Sequence, residues 1–247
     1  MLRFERTYIM ADSTTDLYTR LLRELTKIDY VKPGEFPNID LYMDQVTTFM
    51  NTHLSDSKIK SDDKILTKTM INNYAKNNLL PPPVKKKYSK EHMIVLIFIY
   101  YFKNILSISE IQAMLNPLTD KFFDPAGNSG KISMEDVYTE VFNTIKSQLS
   151  TINTDIEAKL EVDKEHFNDV KNKQDREFLQ KFSMICMLGF DVFLKKQIIE
   201  GLIDTIVSDK EKSEHKEAER KAKKEQPAKA PVKAPAKSPA SKETHKK

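Results

Sequence analysis

Tryptophan, cysteine and glycine are scarce in this chain, and each shortage excludes a class of protein. The 247 residues contain no Trp, one Cys and five Gly. The single cysteine, Cys186, leaves no internal disulfide possible, and its apolar neighbours predict a small buried core residue. Few glycines and few runs of β-branched residues favour a mostly helical protein, so the expected fold class is all-α.

Long apolar runs are also absent. The longest stretch, residues 93–102, has ten apolar residues, whereas a membrane-spanning helix needs about 20. Because this stretch is apolar on every side, we expect it to be the central buried helix of its domain. The first residues mix Arg3, Glu5 and Arg6 with apolar side chains and form no signal-peptide core. We therefore expect no membrane partner and a cytoplasmic location.

Motifs of enzymes and metal sites are missing as well. The sequence has no Gly-rich phosphate loop, and its five histidines are scattered without metal-ligand spacing. Residues 124–135 match a calcium loop only loosely, because Ala126 and Ser129 stand where a ligand and a glycine are needed. We predict a non-enzymatic protein without cofactor or metal, in which His92 is a polar residue of a first helical turn.

Helical periodicity and composition divide the chain into four segments. Residues 1–37 are predicted to be an N-terminal arm and helix, and residues 38–118 a helix-turn-helix domain. Residues 119–208 are predicted to be a helical C-terminal region that dimerises or holds a ligand. Residues 209–247 are rich in Lys, Ala and Pro and are predicted to be a disordered basic tail.

Capping and breaking residues set the expected helix ends. Thr67, Ser107 and Ser133 are predicted N-caps, and Pro117 is expected to end the helix that Ser107 begins. A loop is predicted over residues 116–132. The last helix, about 175–207, is apolar around much of its circumference. It therefore either crosses its own core or meets a partner chain, and Gly189 within it would permit a close helix crossing.

The main functional signal lies around a capped helix that three prolines stop. Four apolar residues recur at helical spacing over residues 66–74, which gives that helix one inward face. Prolines 81–83 follow, and proline ends a helix because it has no amide donor and disfavours helical geometry in the residue before it. We interpret residues 67–78 as a recognition helix and residues 83–90 as a short basic wing.

Charge indicates a polyanionic partner for this stretch. Seven lysines and no acidic residue lie between Lys64 and Lys90. Lysines neutralise phosphates and short amides read base edges, so we expect double-stranded DNA as the partner. With four to six phosphates engaged, the slope of log affinity against log salt would be roughly −4 to −5. The expected DNA contacts are Lys68, Thr69, Asn72, Asn73, Lys76, Lys85, Lys86, Lys87, Tyr88 and Lys90.

A resemblance to a bacterial family, domain of unknown function 1836, rests on ILTKTMINNYAKNNLLPPPVKKKYSKEHMIVLIFIYYFK followed by LSISEIQAML. The resemblance implies a helix-turn-helix similar to the winged MerR-type regulators and no established activity. Tyr74, Leu79 and Leu80 stand where those regulators have a Tyr and a Leu pair at the end of the recognition helix. Asn72 replaces their usual Arg, and Asn78 replaces their Gly, which is tolerable because Asn also enters the left-handed region.

Two functions remain open on the sequence. The first is a DNA-binding transcriptional regulator, which the lysines and amides of the recognition helix favour, with a homodimer formed through the C-terminal helices. The alternative is a protein-interaction module that retains a helix-turn-helix fold without specific DNA contact, which the replacement of Arg by Asn72 favours.

Overall fold

The computed structural model describes Tyr18 and residues 20–23, 30–57, 64–126 and 132–225. Most of these residues are helical, which confirms the predicted helical class, and a two-stranded sheet is the only sheet among them. The chain divides into two units, Met1–Val207 and Ser208–Lys247.

The elements of the described residues are short at first and long towards the C-terminus. The helices are α1 Met43–Leu54, α2 Lys68–Lys76, α3 Lys90–Phe102, α4 Ile108–Phe122, α5 Met134–Lys164 and α6 Lys173–Glu225. The strands are β1 Leu41–Tyr42 and β2 Lys87–Tyr88, which pair antiparallel, and short 3-10 turns occupy Pro33–Glu35 and Ser55–Ser57. In this part of the chain, each helix is too short or too polar to cross a bilayer.

Helix α3 is the centre of the first unit, as its sequence predicts. Every residue from His92 to Tyr100 is buried. The ring of Phe98 packs against Tyr138 and Phe142 of α5, with ring centroids 5.9 Å and 5.8 Å away. One hydrophobic core therefore contains residues from both sides of the domain boundary that the sequence predicts at residue 118.

Helix α4 runs through Pro117, so the expectation that this residue ends the helix is wrong. Ser107 caps the start as predicted, because its Oγ accepts a hydrogen bond of 3.3 Å from the backbone N–H of the third helical residue. A proline inside a helix costs about 3 kcal/mol. Phe122 and other apolar residues beyond it pack on the core and offset that cost. The predicted loop over 116–132 is thus helical as far as Phe122, and residues 127–131 lie outside the described residues.

Helix α6 exposes most of its apolar side chains, although Ile203 is buried in the core. Among them Phe182 is 55% exposed and Phe190 is 62% exposed. Cys186 is exposed too, so the prediction of a buried core residue is wrong. A Cβ built on Gly189 would have no neighbour within 4 Å, and no helix of the same chain crosses there among the described residues. The helix therefore packs against the rest of the chain through only part of its circumference, at Met184 and Ile203 among others, and leaves its other apolar side chains exposed.

The helix also continues into the segment 209–247 that the sequence predicts to be disordered. No proline interrupts it before Glu225, and Ala, Glu and Lys are strong helix formers. Side chains in the second unit pair at helical spacing, as Lys221 Nζ and Glu217 Oε1 do at 3.0 Å, and such pairs stabilise a helix by about 0.2–0.5 kcal/mol each. Residues 226–247 lie outside the described residues.

Candidate nucleic-acid interface

Helix α2 is amphipathic and is fixed to the core by one face. Thr67 is its N-cap, as predicted, because the Thr67 Oγ1 accepts a hydrogen bond of 3.2 Å from the backbone N–H of Met70. Ile71 and Tyr74 are buried against the core. With these anchors set, the helical period turns the polar residues of α2 away from the core.

The outward face of α2 carries all five contact residues that the sequence predicts for this helix. Each of them is exposed, and they are Lys68, Thr69, Asn72, Asn73 and Lys76. One is engaged within the chain, because the Lys68 ammonium forms an ion pair with the Asp44 carboxylate at the start of α1. An exposed polar face of this composition is geometrically able to meet a nucleic acid groove.

The end of α2 is closed by a left-handed residue. Asn78 has a φ of 54°, which confirms the interpretation that it takes the place of a glycine at the helix end. The N–H of Leu79 donates to the carbonyl of Tyr74 at 2.9 Å, and the N–H of Asn78 donates to the carbonyl of Ala75 at 3.3 Å, which is a Schellman motif. Leu79 and Leu80 are buried, so the chain enters the three prolines from a fixed position.

The predicted wing is a tight hairpin over Val84–Lys87. The N–H of Val84 donates to the carbonyl of Lys87 at 3.1 Å, and the N–H of Lys87 donates back at 2.9 Å. The two residues between them, Lys85 and Lys86, have φ values of 50° and 63°, as a type I′ turn requires. Both are exposed. The sequence did not predict this turn, because its usual signal is Asn-Gly and these positions hold two lysines.

The base of the hairpin is paired and partly buried. Leu41 pairs with Tyr88, and Tyr42 pairs with Lys87, whose Nζ lies 5.2 Å from the centroid of the Tyr42 ring. Tyr88 is only 3% exposed and its ring packs on His92 with centroids 5.4 Å apart. Because a buried phenol cannot reach a phosphate, the predicted DNA contact by Tyr88 is wrong, and this residue anchors the hairpin instead.

Lys90 forms an ion pair within its own chain. It is half-buried at the start of α3, and its Nζ donates a hydrogen bond of 2.8 Å to Glu135 Oε2 at the start of α5. The lysine therefore neutralises a carboxylate of its own chain. The predicted phosphate contact by Lys90 stays a prediction, and it would compete with this ion pair.

His92 joins the hairpin to the central helix. It is 1% exposed, and its Nδ1 accepts a hydrogen bond of 2.9 Å from the backbone N–H of Ser89, the N-cap of α3. It is a first-turn residue, as predicted, and its ring lies edge-on to Tyr88 and Phe123. Burial lowers the pKa of His92, an effect that the backbone carbonyl of Pro82 partly opposes.

We expect acidification to weaken this junction. Since the pKa of His92 is lower in the folded chain, its contribution to stability is fully present above the ordinary histidine pKa of about 6.5. It is lost as the pH falls below that value towards the lowered pKa. Urea unfolding at pH 7.5 and pH 5.5 measures the effect. His92→Gln keeps a neutral acceptor at the cap, so its free energy of unfolding should fall less between the two pH values than that of the wild type. An equal fall would contradict the prediction.

Comparison with known proteins identifies one related family. Residues 31–141 match the family described as Domain of unknown function (DUF1836). The match supports the resemblance seen in the sequence, and it spans α1 to α4 and the first turns of α5, including the hairpin. No curated protein and no solved structure gave a significant match.

Proposed function

We propose that the protein is a DNA-binding transcriptional regulator of the cytoplasm, which places α2 in a major groove and the hairpin Val84–Lys87 against the phosphate backbone. The observation that carries the proposal is the exposed polar face of α2, followed along the chain by a hairpin with lysines at its tip. Both are held by the same support, because α1 contacts α2 and β2.

In this proposal α1 is the first helix of a helix-turn-helix, α2 is its recognition helix and the hairpin is its wing, similar to the MerR-type regulators. The amides of Asn72 and Asn73 are suited to bidentate pairing with adenine. Lys76 and the three hairpin lysines supply positive charge for phosphates. Since Tyr88 is buried and Lys90 is paired, about four phosphate contacts remain per chain, and the slope of log affinity against log salt becomes about −3 to −4.

The proposal is tested by selecting bound sites from random duplex DNA and measuring variants on the selected site. Asn73→Ala is expected to cost about 1–3 kcal/mol and to relax specificity at one position, because a bidentate base contact is lost. Lys76→Ala is expected to weaken binding to all sequences and to reduce the salt slope by about 1.

Lys171→Ala is the matched control for Lys76→Ala. Lys171 is an exposed lysine between α5 and α6, so its replacement makes the same charge change away from the proposed interface. It should leave affinity and salt slope unchanged. If the full chain shifts no duplex even at low salt, the proposal is lost.

A second candidate is a protein-interaction module without specific DNA contact. The ion pair between Lys68 and Asp44 favours it, because an exposed carboxylate at the edge of the α2 face would repel phosphates. A partner complex that survives high salt and nuclease treatment would support this candidate over DNA binding.

A further inference from the structure

Helix α6 carries a row of exposed apolar side chains along one side. Phe178, Phe182, Ile185 and Val192 are 65%, 55%, 67% and 61% exposed, and Gly189 lies between the last two. Exposed apolar residues are common singly, but a contiguous row of this size on a soluble domain marks an interaction site.

The spacing of these five residues is that of a helix-pairing seam. They follow one another at intervals of four, three, four and three residues, which is the alternation of a and d positions in a heptad. Met184, which is buried against the rest of the chain, lies on another side of the helix. We call the set Phe178, Phe182, Ile185, Gly189 and Val192 the α6 seam.

Gly189 makes the middle of the seam the natural crossing point. A Cβ at this position would meet no atom within 4 Å, so no neighbour among the described residues requires a glycine here. The glycine costs the helix roughly 1 kcal/mol of stability relative to alanine. A helix laid against the seam would approach closely at this residue, because no side chain stands between the two backbones.

We propose that the α6 seam binds the α6 seam of a second copy of this chain, with the two helices crossing at Gly189. The large side chains of the seam, with the adjacent Phe193, expose on the order of 550 Å² per copy. Complete burial of these side chains in two copies would remove at most about 1,100 Å² from solvent, close to the ~1,000 Å² that a specific interface needs. No charged residue lies between Phe182 and Phe190. A charged partner would therefore find no opposite charge on this part of the seam, whereas a second copy presents an equally uncharged surface.

The proposed dimer has twofold symmetry and the same residues on both sides. Because the buried area is at the low end for specific complexes, we expect reversible association with a dissociation constant in the micromolar range. This inference does not depend on DNA binding, since α2 and the hairpin take no part in the seam.

Sedimentation velocity of the full chain from about 1 to 100 µM tests the proposal. We expect a concentration-dependent monomer–dimer equilibrium, and we expect Ile185→Glu to weaken it about thirtyfold or more, because a charge enters the centre of an apolar interface. Ile198→Glu is the matched control. Ile198 is similarly exposed on the same helix but lies about 180° round it from Gly189, so this variant should stay within about threefold of the wild type. Circular dichroism should show unchanged helix content in both.

A crosslinking measurement keeps the test independent of these substitutions. With Cys186→Ser as background, Gly189→Cys should form a disulfide-linked dimer on mild oxidation, and Phe190→Cys should not. A wild-type chain that stays monomeric at all concentrations, or that forms trimers or larger species, would overturn the proposal. Equal weakening by Ile185→Glu and Ile198→Glu would overturn the assignment of the seam.

Discussion

Replacement of Tyr138 by alanine is expected to lower the free energy of unfolding by about 3–5 kcal/mol, the usual cost of removing a large aromatic side chain from a core. Tyr138 is 0% exposed, and its ring lies 4.4 Å from that of Phe142 and 5.3 Å from that of Phe36, centroid to centroid. Its hydroxyl donates a hydrogen bond of 2.8 Å to the carbonyl of Val31. The Tyr138 ring contacts four other aromatic rings, one of which, Phe98, belongs to the central helix.

The expected loss divides between the ring and the hydroxyl. Tyr138→Phe keeps the ring and leaves the Val31 carbonyl without this donor, so we expect a smaller loss of about 1–2 kcal/mol. Tyr42→Ala is the control, because Tyr42 is 54% exposed and should cost less than the core substitution. Urea denaturation of the three variants measures these differences. An alanine variant at position 138 as stable as the control would show that the core does not depend on Tyr138.

The starts of helices were predictable because capping is local. Thr67, Ser107 and Ser133 each accept a backbone hydrogen bond from the third residue of the helix that follows, as their sequence spacing predicts. The left-handed end of α2 at Asn78 was predictable for the same reason. Each of these features is decided by a few consecutive residues, so a single sequence contains the information.

Features that depend on distant parts of the chain were not predictable. In the sequence Tyr88 resembles an exposed residue of a basic strip. It is buried because β2 pairs with Leu41, which comes before α1 and α2 in the chain. Lys90 forms an ion pair with Glu135, which lies 45 residues further along the chain. Local sequence preference would end a helix at Pro117, but α4 continues to Phe122 because the residues after the proline pack on the core.

The candidate site was therefore only half predictable. The outward face of α2 followed from the helical period once its apolar face was recognised, and all five of its predicted residues are exposed. The hairpin did not follow, because a type I′ turn formed by Lys85 and Lys86 has none of the usual turn residues. A left-handed conformation costs a residue with a Cβ roughly 1–2 kcal/mol, so these two lysines are retained at the tip against the preference of the backbone.

That strain makes the hairpin tip the place where stability and the proposed function should oppose each other. Lys85→Asn combined with Lys86→Gly supplies the residues that a type I′ turn favours, and we expect it to stabilise the fold by about 2 kcal/mol. The same change removes two positive charges from the proposed phosphate contacts, so duplex affinity should fall and the salt slope should drop by about 2.

A second double variant separates the two effects, because Lys85→Ala with Lys86→Ala removes the charges and leaves the left-handed strain in place. It should lose duplex affinity to the same extent while its free energy of unfolding stays close to that of the wild type. Chemical denaturation and a salt titration of duplex binding measure both quantities on each protein. Strained residues persist where function requires them, so opposite changes in stability and affinity would identify the lysines as ligand-binding residues. A gain in stability with unchanged affinity would instead leave α2 as the sole candidate contact and would remove the wing from the proposed mechanism.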